Sequence, residues 1–260
     1  MADLERIRAF LRWTEDATST RAEAWRYGTA LFNDDFPGRW DSNFLRVERS
    51  VGEATPAELA AEADRILAAF RHREFVVEDD AVGARLAAGF VDLGYEADRL
   101  AHMELVRDAD HAPPPLVVEE VELDVVRPVI VETNVAGHGG MTREEAEMLA
   151  EFRRVLVARV GARFFVTRLD GQIAGYCELY QQDGVAQIED VNTRQAFRGR
   201  GAARAFIASA VDAARADGAE LIFLMADVDD WPRHLYAKLG FDEVGRFRQF
   251  TKPPPGVSYR

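Results

Sequence analysis

The chain has a single cysteine, Cys177, among its 260 residues. An intrachain disulfide and a cysteine metal cluster are therefore both excluded. Cys177 falls inside an apolar run, Ile173 to Tyr180, where a small thiol suits core packing better than nucleophilic chemistry. Histidine is also scarce, and His72, His102, His111 and His234 show no ligand spacing, so no metal site is expected. No apolar run reaches the length of a membrane span, and Met1 to Phe10 carries charges where a signal peptide would be apolar. Positive charge is short as well: 32 Lys and Arg stand against 45 Asp and Glu, a net −13 at pH 7. That balance argues against nucleic acid as a partner, and it fits a cationic substrate as well as simple solubility. A content of 48% hydrophobic and 30% charged residues is globular, and the length allows one large or two modest domains. A cytoplasmic location without a membrane partner is expected; the oligomeric state, monomer or homodimer, stays open.

What is present is concentrated near residue 200. An apolar strand, Val185 to Val191, gives way through Arg198-Gly199-Arg200-Gly201-Ala202-Ala203 to an amphipathic helix running to about Ala216. The first N–H groups of such a helix have no intrahelical partner, and the macrodipole adds positive potential there. Glycines at 199 and 201 remove the Cβ atoms that would obstruct an anion, so the turn is built to cradle a phosphate. The dinucleotide pattern G-x-G-x-x-G fails at Arg204, and no Gly-Lys-Ser/Thr ends the loop as in a P-loop. The pattern that fits is R/Q-x-x-G-x-G/A, with Arg198, Gly201 and Ala203 in the fixed positions.

The flanks add an element order. Phe164 to Leu169 and Ile173 to Tyr180 read as strands joined by Asp170-Gly171, and Asp183-Gly184 turns into the Val185 strand. Asp217-Gly218 ends the helix, Leu221 to Ala226 is a buried-strand run, and a short helix leads through Leu239-Gly240-Phe241 to closing strands over Glu243 to Phe250. With this order, the cradle pattern and the segment Leu235-Tyr236-Ala237-Lys238-Leu239-Gly240-Phe241, residues 116–252 resemble the GNAT N-acetyltransferase superfamily. The resemblance implies an α/β (α+β) fold with a mixed, mostly antiparallel sheet flanked by helices.

It also implies a chemistry: an acetyl group passes directly from acetyl-CoA to a primary amine of a small molecule or an aminoacyl or peptide acceptor. Such transfer needs a deprotonated amine, a polarised thioester carbonyl and a proton for the departing thiolate. By resemblance, Val191, Asn192 and Thr193 pair with the pantetheine arm, while Arg198, Gly199, Arg200, Gly201, Ala202 and Ala203 hold the pyrophosphate. Alternation along the strand puts Gln187, Glu189 and Val191 on one face, with Ile188 and Asp190 on the other. Glu189 is then the candidate general base, with Asp190 or a water chain as alternatives. Tyr236, at the tyrosine of the "LYxKLGF" segment, is the implied proton donor to the thiolate. Asp229 stands where many family members carry an asparagine at the cofactor. Trp231-Pro232 opens the following helix, with proline in its first turn. His138, in a glycine-rich loop before a Thr142-x-x-Glu145 capping box, is either a surface histidine or a substrate contact.

The N-terminal part is expected to be separate. His111-Ala112-Pro113-Pro114-Pro115 is stiff and cannot continue a helix or central strand, which divides the chain into residues 1–112 and 116–260. Helix Pro56 to Phe70, strand Glu74 to Val77, helix Ala81 to Leu93, Leu93-Gly94-Tyr95 and strand His102 to Val106 repeat the second half of the C-terminal pattern. Ser50-Val51-Gly52-Glu53 carries no R-x-x-G-x-G, so this copy reads as a degenerate GNAT-like cap without a cofactor. The aromatic residues from Trp25 to Phe44 are core or part of an amine pocket, and Met1 to Thr14 reads as an amphipathic helix packed on the cap. The acceptor is expected between the cap and the Gly137–Gly140 loop. Two alternatives remain open: a mycothiol-synthase-like acetylation of an amino-sugar thiol, and a non-catalytic CoA-binding sensor.

Overall fold

A computed structural model describes residues 2–137 and 141–257. In chain order the elements are α1 (Ala2–Thr18), β1 (Arg21–Trp25), β2 (Gly28–Phe32), β3 (Phe44–Val47), α2 (Pro56–Ile66), β4 (Arg73–Val77), α3 (Asp80–Asp92), β5 (Glu96–Leu105), β6 (Val118–Val121), α4 (Leu123–Gly137), α5 (Arg143–Val160), β7 (Arg163–Leu169), β8 (Gln172–Gln182), β9 (Val185–Thr193), α6 (Ala202–Ala216), β10 (Leu221–Asp227), α7 (Pro232–Lys238) and β11 (Phe241–Lys252). They form two compact units that interleave along the chain. One contains Met1–Leu11, Met103–Met225 and Trp231–Val244; the other contains Arg12–His102, Ala226–Asp230 and Gly245–Arg260. The triple-proline stretch lies inside the first of these units.

In the first unit β6, β7, β8 and β9 pair antiparallel in succession, and β10 joins β9 in parallel with Leu221 opposite Val185. Local chemistry dictates the turns. Asp170-Gly171 and Asp183-Gly184 all have positive φ (53°, 75°, 48° and 75°), the backbone of a two-residue type I′ hairpin. The parallel β9–β10 pair needs a crossover, which α6 supplies. Helix α5 begins at the expected capping box: Thr142 Oγ1 accepts from the Glu145 N–H, and the Glu145 carboxylate accepts from the Thr142 N–H at 2.8 Å. Helix α4 carries Pro128 in its interior and was not foreseen.

The second unit repeats the plan. Strands β1, β2 and β3 pair antiparallel, α2 crosses over, and β4 joins β3 in parallel with Phe75 opposite Leu45. The final residues of β11 close this sheet by pairing antiparallel with β4, Phe250 opposite Phe75. Leu59, Ala63 and Leu67 meet Leu86 and Phe90 over Phe75, Val77 and Phe250, and the Phe90 and Phe250 rings stack at 4.6 Å.

Several boundaries move. The helix expected over Pro56 to Phe70 stops at Ile66, the strand expected at His102 begins at Glu96, and the closing strands are one, β11. In the aromatic stretch from Trp25 onward, Trp25 ends β1, Phe32 ends β2 and Phe44 opens β3, while Phe36 and Trp40 lie in the connection between β2 and β3; Trp25, Tyr27, Phe32 and Phe44 are buried core. The first half of α1 belongs to the first unit. Phe10 meets Phe223 of β10 edge-on at 5.6 Å, and Arg6 pairs with Glu220 at 3.1 Å, both within the first unit. No helix among the described residues is long and apolar enough to cross a membrane.

Candidate active site

The decisive local feature is a β-bulge in β9. Glu189 lies opposite Glu178, and Asn192 lies opposite Tyr176, so Asp190 and Val191 together face the single residue Cys177. Asp190 takes the left-handed conformation, φ 46°, that the extra residue requires. The bulge overturns simple alternation: Asp190 does not point away from Glu189. Its carboxylate accepts from the Tyr176 hydroxyl at 3.0 Å and from Arg153 Nη2 at 2.5 Å. Arg153 also donates to Glu178 at 3.0 Å, and Tyr180 donates its hydroxyl to the same carboxylate. The register puts Val191 on the opposite face, away from Glu189.

One face of the sheet therefore gathers Glu178, Glu189 and Asp190 around a single guanidinium. Glu178 is fully buried and Arg153 is 8% exposed, so the pairing compensates charges that could not be buried alone. Glu189 has no cationic partner in this group. Burial, then the neighbouring Asp190 and Glu178 charges, push its carboxyl up to about 7, against the weaker pull of a hydrogen bond from Gln187. Gln187, 2% exposed, donates Nε2 to Glu189 at 2.6 Å. A carboxyl poised near neutrality, in acidic surroundings, can take a proton from a bound ammonium. Arg153, Glu178 and Gln187 were not foreseen as part of the site. Glu178 carried a signal: an acid in the middle of the apolar run Ile173 to Tyr180 demands a buried partner.

Beyond the bulge, β9 runs through Asn192 and Thr193 to the turn at residues 194–201. Arg198 Nε donates back to the Thr193 carbonyl at 3.2 Å, and Arg200 pairs with Asp170 at 2.6 Å. Gly199 (φ 76°) and Gly201 (φ 86°) hold conformations that side chains disfavour. A Cβ on Gly201 would also lie 2.9 Å from the Pro114 ring. No side chain caps α6; its first helical bond is Ala205 N–H to the Gly201 carbonyl. The N–H groups of Ala202, Ala203 and Arg204 thus emerge among small residues, a fit for a pyrophosphate. The matching end in the second unit is built differently. Thr55 and Glu58 form a reciprocal cap on α2, and Pro56 at its first turn offers no N–H. An anion there would meet a carboxylate and satisfied donors.

The contrast between an open cradle and a capped counterpart coincides with a sequence match. Residues 131–241 match the model of the Acetyltransferase (GNAT) family. This region belongs to the GNAT acetyltransferase family. No curated protein matches the chain significantly. Among solved structures, a GCN5-related N-acetyltransferase from Kribbella flavida is similar at 17% identity and TM-score 0.64, covering 98% of this chain and 96% of that one. A functionally unknown conserved protein from Staphylococcus epidermidis ATCC 12228 gives 12% identity and TM-score 0.71, covering 91% and 94%. A tandem GNAT protein from the clavulanic acid biosynthesis pathway gives 18% identity and TM-score 0.52, covering 82% and 75%. At these identities the likeness concerns the fold, a mixed, mostly antiparallel GNAT architecture.

The other expected residues of the GNAT region are placed as follows. Tyr236 is 7% exposed on α7, the helix after β10, which is the parallel neighbour of β9. Pro232 occupies the first turn of α7, and Trp231 is 62% exposed at its start. The Asp229 N–H donates to the Asp227 carboxylate at 2.8 Å. Cys177 is buried, its thiol facing the Phe206 carbonyl of α6. His138, with Gly139 and Gly140, lies outside the described residues. Among the described residues no group of His, Cys, Asp and Glu has the arrangement of a metal site.

Proposed function

We propose that this chain moves an acetyl group from acetyl-CoA directly to the primary amine of a small molecule or of an aminoacyl or peptide acceptor. The observation that carries the reading is the bulge in β9, which sets an acidic face immediately before an uncapped, glycine-rich helix start. Acetyl-CoA supplies an activated acyl group as a thioester. The backbone N–H groups from Gly201 to Ala203, with Arg198, Gly199 and Arg200, would hold its pyrophosphate, and Val191, Asn192 and Thr193 its pantetheine arm. Holding both substrates together supplies much of the acceleration of a direct transfer.

Glu189 serves as general base. An alkyl ammonium has a pKa of roughly 10, so it arrives protonated and must lose a proton before its lone pair can attack. A carboxylate with a pKa of about 7 accepts that proton far better than an ordinary glutamate would. The uncompensated negative charge around Glu178, Glu189 and Asp190 also attracts a cationic acceptor. Tyr236 supplies the proton that the departing thiolate takes up. No metal is involved. The N-terminal residues 1–112 act as a GNAT-like cap that binds no cofactor, and residues 116–260 carry the chemistry.

The test is a thiol-release assay over a panel of primary amines, with kcat/KM measured against pH. Glu189→Gln should depress the rate most at low pH and progressively less as pH approaches the pKa of the amine. Unchanged profiles in Glu189→Gln with an accepted amine would remove Glu189 from the reaction.

A further inference from the structure

The Gln187 side chain is held at one end only. Its Nε2 donates to Glu189 Oε2 at 2.6 Å, while Oε1 is buried and meets no hydrogen-bond donor among the described residues. A buried amide is ordinarily pinned at both ends. Asn43 shows the pinned state: its Oδ1 accepts from the Asn33 N–H at 2.7 Å, and its Nδ2 donates to the Phe36 and Arg39 carbonyls. Turning Asn43 over would break three hydrogen bonds. Turning Gln187 over breaks one, the bond to Glu189, and a protonated Glu189 would restore it in the opposite sense.

We propose that Gln187 positions Glu189 in both of its protonation states by turning its side-chain amide. The inference rests on the reading of Glu189 as the base. In the ionised state Nε2 donates to the carboxylate. When the acceptor ammonium gives up a proton, Glu189 becomes a carboxylic acid and the amine is left neutral with a free lone pair. The new O–H then needs an acceptor, and Oε1 is a near-isosteric replacement for Nε2 at the same place. The amide turns, Glu189 O–H donates to Oε1, and the carboxyl group keeps its place beside the acceptor. The proton passes to solvent before the next turnover, and the amide returns.

The other groups on this face do not substitute for Gln187. On β8, Tyr180 donates to Glu178 and Tyr176 donates to Asp190. Arg153 on α5 is shared between Glu178 and Asp190, and Thr133 on α4 contacts Tyr176. On β9 itself, Asp190 offers Glu189 only its backbone N–H. Among the described residues Gln187 is the side chain that hydrogen-bonds Glu189. It is a positioning residue, acting on the substrate through Glu189.

Nuclear magnetic resonance on the full chain without acceptor tests this directly. Across the titration of the Glu189 side-chain carbonyl carbon, the downfield Hε proton of Gln187 should move to an unbonded position below the midpoint and return above it. The step should vanish in Glu189→Gln, which assigns it to that carboxyl. Gln187→Met loses the bond in both states, but the one to the ionised carboxylate is charge-assisted and the stronger, so the Glu189 midpoint should rise by about one pH unit. At pH 7 kcat/KM should then fall about fivefold, because the ionised fraction drops from about a half to about a tenth, and the loss should disappear by about pH 9. Should Gln187→Met fail to fold, the wild-type titration still decides. An Hε proton that stays downfield below the midpoint, or a Glu189 midpoint unchanged in Gln187→Met, would overturn the proposal. If the titration behaves as expected but the rate profile of Glu189→Gln is wild type, the amide turns and the assignment of the base is what fails.

Discussion

Replacing Glu189 by glutamine should stabilise the protein, and by an amount that grows with pH. The carboxyl is pushed from its ordinary 4.5 to about 7 by burial and by the Asp190 and Glu178 charges. A raised carboxyl pKa means that the folded chain binds a proton between pH 4.5 and 7 that the unfolded chain has released. Stability therefore falls as pH rises through that window. At 1.36 kcal/mol for each tenfold change in proton affinity, that rise corresponds to roughly 3 kcal/mol once Glu189 is fully ionised. Glu189 is partly exposed, so solvent screening reduces this, and about 1–3 kcal/mol is expected. Glutamine is isosteric, stays neutral and can still accept the Gln187 N–H, so it lacks the slope. Urea unfolding of both proteins at pH 5 and pH 8.5 measures the difference. Glu189→Gln should match wild type to within about 1 kcal/mol at pH 5 and exceed it at pH 8.5, because at high pH only the wild type buries an unpaired charge. A stability difference that is the same at both pH values would refute the reasoning, because Glu189 would then titrate as an ordinary glutamate.

Three further outcomes follow from the cradle and the proton donor. Gly201→Val confounds folding with binding, since the φ of 86° and the Pro114 ring both oppose a side chain there. Ala203→Asp separates them: an acid in the first turn of α6 favours the helix by about 0.3–1 kcal/mol. The same charge should weaken CoA about tenfold or more by calorimetry, ~1.4 kcal/mol, and unchanged affinity would dismiss this helix start as the pyrophosphate site. Titration with CoA should saturate at one equivalent per chain, because the start of α2 is capped by Thr55 and Glu58; two equivalents would contradict that. Tyr236→Phe should leave CoA affinity and thermal midpoint nearly unchanged while kcat falls about 10²-fold, and a wild-type kcat would release Tyr236 from its role.

Wherever a feature depended on a few neighbouring residues, the chain alone determined it. Asp170-Gly171 and Asp183-Gly184 make their hairpins because an aspartate–glycine pair tolerates positive φ in succession. Thr142 and Glu145 close their own cap across three residues. Gly199 and Gly201 mark the turn into α6 because its positive φ values, 76° and 86°, are ones that side chains disfavour. These signals survive any tertiary context, and so the element order from β7 to β11 was legible. The strands from Arg21 to Val47 were not, because aromatic residues that face a core resemble those that line a pocket until a partner sheet is present.

The acidic face belongs to the tertiary structure. Nothing in Ile188-Glu189-Asp190-Val191 announces a bulge; Asp190 adopts φ 46° because β8 supplies one residue where β9 supplies two. That single slip of register turned two carboxylates expected on opposite faces onto the same one. It then took Arg153, 37 residues earlier on α5, to compensate Asp190 and Glu178 together. Glu189 is left outside that ion pairing, and burial, then the Asp190 and Glu178 charges, push its carboxyl up to about 7. Local sequence fixes backbone conformations that neighbours in the chain can enforce; which charges meet, and which one is left over, depends on pairing across space that the sequence pattern does not encode.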